Sequence, residues 1–180
     1  DEVIRVDNVE QLFTNPLAGR IRVGIPDDYN ETILERTLAQ FSRQYSRVEV
    51  FVRSGCNREF PEAIARNELD LALYSAGEIN TADIFYTEAT VWAASTNFVL
   101  AEDEPVPLAQ FDRDCRWRDV AADALDAIGR PWRTAYSSEN YSSVKAAIGA
   151  GLAIGPLAAS ALGESMRVLD PSDGFPQLPS

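Results

Sequence analysis

Two adjacent acidic side chains follow the first apolar run of this sequence, in the stretch RIRVGIPDDYN at residues 20–30. Two carboxylates held close together, as Asp27 and Asp28 would be, can share a proton and so suit general acid and base catalysis. The same carboxylates can instead interact with the free N–H groups of a helix that starts near residue 31. A third interpretation places them in a ligand-binding loop. The residue types alone leave all three open.

Three further polar stretches stand at the same kind of position, directly after a predicted strand or before a predicted helix. They are SGCN at 54–57, DCRW at 114–117 and SSENY at 137–141. The N–H groups at a helix start favour anions and oxygen acceptors, and the guanidinium of Arg116 offers a planar fork to an anion. The alternatives are a helix cap for Asn57 and for the SSENY loop, and a surface ion pair with nearby acids for Arg116.

The composition excludes several kinds of chemistry. The 180 residues include no histidine, and the formal net charge is −12. Without imidazole, histidine-dependent catalysis and zinc sites with histidine ligands are excluded, and no basic face is available to neutralise nucleic-acid phosphates. No GxxxxGK or strand-linked GxGxxG pattern is present to hold a nucleotide. We therefore expect no enzyme activity, no metal, no cofactor and no DNA binding by these residues themselves.

The cysteine content and the start of the chain favour a cytoplasmic setting. The sequence has two cysteines, far fewer than secreted disulfide scaffolds use. It has no basic-then-apolar leader at its start and no apolar run long enough to cross a bilayer. We expect Cys56 and Cys115 to be reduced, the alternative being a bridge formed by an oxidant between their two loops.

Strands and helices alternate along the first part of the chain. Residues 1–13 have helical spacing, and after them the pattern predicts strands near 20–25, 48–53 and 69–74 and helices near 31–45 and 58–67. Helices of this length between strands are typical of βαβ units on a parallel sheet. In such folds ligands bind at the carboxyl ends of the strands, where the polar loops would meet.

A second α/β series follows an interruption. The proline-containing stretch AEDEPVPLAQFDRD, at 101–114, breaks the pattern and is interpreted as a passage between two lobes. After it we predict helices near 117–128 and 141–150, strands near 132–137 and 152–156, and a short helix near 158–163. The chain is long and apolar enough to form one compact domain or two small lobes.

Four blocks of sequence carry a family resemblance. They are PLAGRIRVGIPDDY, LAQFSRQYSRVEVFV, AIARNELDLALYS and SVKAAIGAGLAIGPL. In this order and at this spacing the chain resembles, over residues 1–180, the effector-binding domain of LysR-type transcriptional regulators. The segments GIPDDY, PWRTAYSSENYSSVKAAIGAGLAI and MRVLDPSDGFPQLP further resemble the branch that includes repressors of motility and virulence genes.

The resemblance implies a fold and a site. The fold is a two-lobed, periplasmic-binding-protein-like α/β fold, each lobe a mostly parallel sheet flanked by helices, with a small-molecule effector in the cleft between the lobes. Residues 1–19 would be the end of a linker helix, 20–97 lobe I, 98–168 lobe II and 169–180 the start of a return to lobe I. The loops of that cleft supply the candidate effector-binding residues, which are Asp28, Tyr29, Cys56, Asn57, Arg116, Ser138, Glu139 and Asn140.

The resemblance also implies a function. The chain would be the ligand-sensing and dimerisation module of a homodimeric or tetrameric regulator that contacts DNA only through a separate N-terminal helix-turn-helix and does not contact a membrane. The main alternative is a solute-binding protein of a transport system, because it uses the same two-lobe architecture. An enzyme is a third and weaker alternative.

Overall fold

The computed structural model describes residues 17–29, 31–55, 59–73, 87–100, 104–112 and 116–178, including the backbone but not the side chains of Glu31 and Arg116. The chain divides into two compact units, Asp1–Ser75 and Ala76–Ser180, called here the first and the second unit. The helix predicted over residues 1–13 and the candidate residues Cys56, Asn57 and Cys115 lie outside the described residues.

The first unit is built on a parallel sheet with the strand order β2-β1-β3. Its elements are β1 (Ala18–Pro26), α1 (Glu31–Gln44), β2 (Arg47–Gly55), α2 (Phe60–Ala65) and β3 (Leu71–Ala72). Parallel neighbours cannot be joined by a tight turn, and the two helices supply the longer crossovers that they need. The βαβ pattern predicted from the sequence is thereby confirmed, with β3 shorter than the strand expected over 69–74.

A glycine lets α2 and the turn after it lie close to β1. A Cβ atom at Gly24 would be 2.8 Å from Leu69 Cδ1 and 3.1 Å from Phe60 Cγ. Phe60, Ala63 and Leu69 form a small buried cluster at this place. The carboxyl-terminal half of β1, up to Pro26, is consequently buried, and the chain leaves the sheet directly into the loop that contains the two acids.

An ion pair fastens the turn between α2 and β3 to the middle of β1. Arg22 Nη2 donates to Asp70 Oδ1 at 2.6 Å, Arg22 Nε donates to Asp70 Oδ2 at 3.1 Å, and the backbone N–H of Arg22 donates to the same oxygen at 2.8 Å. The guanidinium also donates to the carbonyl of Asn67, a residue with a positive φ of 55°. The hydrogen bonds from Arg22 lower the pKa of Asp70 from 3.8 to about 2.

We expect the substitution Asp70→Asn to remove a pH-dependent part of the stability. Because the pKa of Asp70 is about 2 in the folded chain and higher in the unfolded chain, the ionised carboxylate stabilises the fold fully above about pH 4. That contribution is lost as the pH falls through about 2. The difference in free energy of unfolding between wild type and Asp70→Asn, measured with urea from pH 5 to pH 2, should therefore shrink. With Glu35→Gln on α1 as the control, a difference that does not vary with pH would contradict this account.

The second unit combines a parallel strand pair with an antiparallel sheet. Its elements are β4 (Thr90–Ser95), β5 (Val106–Phe111), α3 (Arg116–Ala127), β6 (Trp132–Ser138), α4 (Tyr141–Gly149), β7 (Gly155–Ala158) and β8 (Met166–Leu169). Strands β5 and β6 are parallel, with α3 as their crossover; α3 and β6 lie where they were predicted, whereas β5 was not predicted. Strand β4 lies antiparallel between β7 and β8, a sheet that the sequence analysis did not anticipate.

The interpretation of AEDEPVPLAQFDRD as a passage between lobes is wrong for residues 106–111. These residues form β5, and every one of them is buried. Pro107 cannot donate a hydrogen bond, but its carbonyl still accepts from the N–H of Ile154 at 2.9 Å, so the strand stays paired at this residue. Gln110 is a polar residue that is buried in this strand, and its side chain is satisfied there because it accepts a hydrogen bond from the hydroxyl of Thr134 on β6. The acidic residues on either side of β5 are typical of an exposed connection, and this short core strand was therefore not predicted.

The last described residues pack into the core of the second unit. Trp92 on β4 is only 2% exposed, its ring centroid is 5.3 Å from that of Phe175, and its Nε1 donates to the carbonyl of Pro176 at 2.8 Å. The guanidinium of Arg130 lies over the ring of Phe175, with Cζ 4.3 Å from the ring centroid. It also donates to the carbonyl of Gly174 at 2.7 Å. The segment after β8 is therefore held to β4 by an aromatic pair and one hydrogen bond, and to the connection between α3 and β6 by a second hydrogen bond.

The packing of Trp92 on β4 against Phe175 bears on the predicted domain ranges. Residues 20–97 are predicted as lobe I and 169–180 as the start of a return toward it, whereas β4 and Phe175 both lie in the core of the second unit. The compact units and the predicted domains are different divisions of the chain. The ranges 1–19, 20–97, 98–168 and 169–180 stay predictions.

Candidate functional site

The carboxyl end of β1 delivers a polar loop at the edge of the first unit. The buried strand ends at Pro26, whose carbonyl accepts from the N–H of Tyr29 at 3.2 Å, and this bond closes a turn. The side chains of Asp27, Asp28 and Tyr29 in the turn are partly exposed. Asp28 and Tyr29 thus lie at a strand-to-helix connection, the kind of place at which the sequence predicted a binding loop.

The parallel strands of the second unit end side by side. Phe111, the last residue of β5, is paired with Ser138, the last residue of β6. The N–H of Asp112 donates to the carbonyl of Ser138 at 3.0 Å, so this pairing continues one residue beyond the strands. The loops that follow the two strands therefore leave the sheet at a common edge, and the exposed carboxylates of Asp112 and Glu139 lie there.

The loop from β6 to α4 is organised by its own side chains. The N–H of Asn140 donates to Ser138 Oγ at 3.1 Å, and Asn140 Oδ1 accepts from the N–H of Ser143 at 3.1 Å. Asn140 has extended backbone angles and is the N-cap of α4. The helix-cap interpretation of this loop is correct for Asn140, and the bonds fix Ser138, Glu139 and Asn140 next to the first N–H groups of the helix.

Two further contacts, neither of them predicted from the sequence, hold the start of α4 in place. The hydroxyl groups of Tyr136 and Ser143 are 2.9 Å apart, and the rings of Phe111 and Tyr141 stack with centroids 6.2 Å apart. Ser143 could have been predicted from the sequence, because the side chain of an N-cap at Asn140 accepts from the N–H of the second or third residue of the helix. Tyr136 becomes visible only once the strand register is known.

The structure groups the candidate residues within each unit. Asp28 and Tyr29 come together in the first unit, and Ser138, Glu139 and Asn140 come together in the second. Arg116 is the first residue of α3. The described side chains offer hydroxyl, amide and carboxylate oxygens, which suit hydrogen bonding to a small polar molecule. Within the described ranges no three metal-ligating side chains cluster.

We expect the substitution Asn140→Ala to lower the free energy of unfolding of the second unit by about 0.5–2 kcal/mol, because it removes the cap of α4. Chemical denaturation followed by circular dichroism measures this loss. Asn140→Asp, which retains an oxygen at the same place, is the matched control and should recover most of the stability. Equal losses in the two variants would show that the cap contributes little.

Comparisons with known proteins relate the whole arrangement to one family. Residues 14–176 match the family model described as the LysR substrate binding domain. The chain is 27% identical over 169 residues to the HTH-type transcriptional regulator PecT of Dickeya dadantii (strain 3937), covering 93% of the chain and 54% of that protein. It is 32% identical over 165 residues to the HTH-type transcriptional regulator DgdR of Burkholderia cepacia, covering 91% and 56%. The chain therefore spans about half the length of these curated relatives.

The fold has solved counterparts. The regulatory domain of CcmR from Synechocystis PCC6803, in complex with 2-PG, matches with a TM-score of 0.63 and 19% sequence identity, over 89% of this chain and 85% of that one. At this level of identity the match concerns the fold, and it confirms the α/β class with its division into two parts.

Proposed function

Because the chain belongs to the LysR substrate-binding domain family, we propose that it is the effector-sensing part of a transcriptional regulator. The observation that carries the proposal is the capped β6–α4 loop, where Ser138 and Asn140 hold polar groups at the carboxyl edge of two parallel strands. Open α/β sheets bind ligands at this edge. The curated relatives are transcriptional regulators, which supports sensing over catalysis and over solute transport.

The effector would be a small molecule bound by the strand-end loops. The candidate contacts are Asp28 and Tyr29 in the first unit and Ser138, Glu139 and Asn140 in the second, with Cys56, Asn57 and Arg116 as further candidates. The CcmR regulatory domain has been solved in complex with 2-PG, which supports a small-molecule effector for a chain of this fold. The acids of the loops favour an effector that has a hydrogen-bond donor or a cationic group.

Regulation would follow from a difference in affinity. An effector can shift a regulator between two states only as far as it binds one of them more tightly. DNA would be contacted through a separate helix-turn-helix, since the net charge of −12 gives these residues no basic face for phosphates. A cytoplasmic location agrees with such a role. The resemblance to the branch of motility and virulence repressors stays a prediction.

No helix among the described residues is long and apolar enough to cross a membrane.

A thermal-shift screen of small metabolites against the chain tests effector binding. A ligand present at about 100 times its Kd is expected to stabilise the fold by about 2.7 kcal/mol, which is a readily measured rise in Tm. A hit should then change transcription from a target promoter of the full-length regulator. Turnover of the hit by the chain would favour an enzyme instead, and a hit without any transcriptional effect would contradict the proposed role.

Self-association is part of the same proposal. Helix α1 carries the apolar side chains Ile33, Leu34, Leu38 and Phe41, and no described residue of this helix is buried. Ile33 is 48% exposed and Leu38 is 39% exposed. Exposed apolar residues along a helix are typical of a surface that a partner covers. We propose that a second copy of the chain covers it in a homodimer.

We expect Leu38→Glu to weaken self-association about tenfold or more, because a charge would be buried in an apolar interface. Sedimentation velocity over a range of concentrations measures the change. Leu152→Glu, which also replaces an exposed leucine but lies in the second unit, is the control. Dimerisation that Leu38→Glu leaves intact would exclude α1 as the interface.

A further inference from the structure

A polar cavity of about 530 Å³ lies in the second unit, within the size range of small-molecule sites. Its wall is formed by the end of β4 and the turn after it, at residues 95–99, by the end of α4, at residues 149–151, and by Ser165. All these residues are described, and none of them belongs to the candidate effector loops.

The cavity and the effector loop of this unit lie at opposite ends of α4. The helix has nine residues, so Tyr141, beside the capped loop, is about 12 Å along the axis from Gly149. The two places also differ electrostatically, because the start of a helix presents N–H groups and its end presents carbonyl groups. The helix dipole therefore contributes with opposite sign at the two places.

Backbone hydrogen bonds join the segments that form the cavity wall. The N–H of Thr96 donates to the carbonyl of Ser165 at 2.9 Å, which joins the turn after β4 to the segment before β8. The N–H groups of Ala150 and Gly151 donate to the carbonyls of Ala146 and Ile148 and close the end of α4. Gly151 permits this closure because its φ is 77°.

The groups that line the cavity disfavour an anion. None of the described lining residues is charged, so neither an anion nor a cation finds an ion-pair partner among them, and the polar groups decide between the two. The N–H groups of residues 96, 97 and 98 already donate within the protein, to Ser165 O, Ser95 Oγ and Ser95 O. The helix end adds a partial negative charge.

The same groups favour a cation that donates hydrogen bonds. Ser95, Thr96 and Ser165 offer hydroxyl oxygens, and Asn97 offers an amide oxygen. The carbonyls of Gly149 and Ala150 accept no backbone hydrogen bond from the described residues. Phe98 lines the same cavity, and aromatic rings attract ammonium groups. The net charge of −12 adds a long-range attraction for cations.

We propose that this cavity is a second ligand site, which binds a small organic ammonium ion. The ammonium group donates to the hydroxyl and carbonyl oxygens at the end of α4, and the aliphatic part of the ligand lies against Phe98 and Val99. The site does not depend on the proposed effector loops, because it shares no residue with them.

The test titrates the 180-residue chain, labelled with ¹⁵N, with n-butylammonium, n-butanol and butyrate, which match in length and differ in charge. We expect saturable amide shifts with butylammonium at residues 95–99, 149–151 and 165. Butanol should bind at least about tenfold more weakly, as the loss of the charge-dependent contacts implies, and butyrate should not bind.

Two variants make the test specific. Ala150 is exposed, lines the cavity and has right-handed helical angles, so a lysine is sterically allowed there. Ala150→Lys places an ammonium group of the chain itself beside the site and should weaken butylammonium binding at least about tenfold. Ala127→Lys, at the end of α3 and away from the cavity, should leave it unchanged.

Several results would overturn the proposal. Equal affinity for butanol and butylammonium would show that charge is not recognised, and binding of butyrate would contradict the electrostatic argument. Shifts that do not saturate, or that cluster around Asn140 and not around Gly149, would place the ligand elsewhere. Equal effects of Ala150→Lys and Ala127→Lys would exclude the cavity as the site.

Discussion

Replacing Trp92 with alanine is expected to lower the free energy of unfolding of the second unit by about 3–5 kcal/mol, because a large buried side chain is lost from the core. Trp92 is among the most deeply buried side chains, and its removal leaves a cavity beside Phe175. It also removes the hydrogen bond from Trp92 Nε1 to the carbonyl of Pro176. The segment after β8 should then lose its attachment to β4.

Urea denaturation measures this effect, with proteolysis near residue 175 as a second readout. Trp92→Phe keeps most of the burial but loses the hydrogen bond, so it should cost much less. Trp132→Ala removes the same side chain from a half-buried position on β6 and is the matched control. If Trp92→Ala cost no more than Trp132→Ala, the central place of Trp92 in the core would be wrong.

The second large effect concerns binding. Asp28→Ala is expected to weaken effector binding at least tenfold, since a hydrogen bond to a charged group contributes about 1.5–3 kcal/mol. Asp28 is partly exposed in a turn outside the sheet, so folding should be nearly unaffected. This expectation rests on the proposed function.

Isothermal titration with an effector from the screen measures the change in affinity, and a reporter assay with the full-length regulator measures the change in response. Glu35→Ala, on the exposed surface of α1 in the same unit, is the control for a general charge effect. If Asp28→Ala changed neither affinity nor response, these acids would be limited to a structural role at the start of α1.

Periodicity was sufficient to predict the first unit. The alternation of β1, α1, β2 and α2 has the spacing of a βαβ fold, and the predicted ends differ from the observed ones by a few residues. The cap at Asn140 was also within reach, because asparagine before an apolar helical pattern is a local signal. Local signals of this kind depend on neighbouring residues only.

The features that were missed depend on contacts distant in sequence. Strand β5 lies between acidic stretches and contains Pro107, so its buried character depends on partners at residues 131–138 and 154. Arg22 and Asp70 are 48 residues apart, and nothing near either one marks the pair. The cavity at the end of α4 joins three separate segments for the same reason.

The central claim, that strand-end loops of this chain bind an effector, is tested most directly by mapping the bound effector. Spectra of the ¹⁵N-labelled chain with and without the strongest hit of the screen report which amides it contacts. We predict saturable shifts concentrated at residues 27–29 and 138–141, with those at residues 27–29 weakened by Asp28→Ala. Saturable binding that leaves both loops unshifted would contradict it.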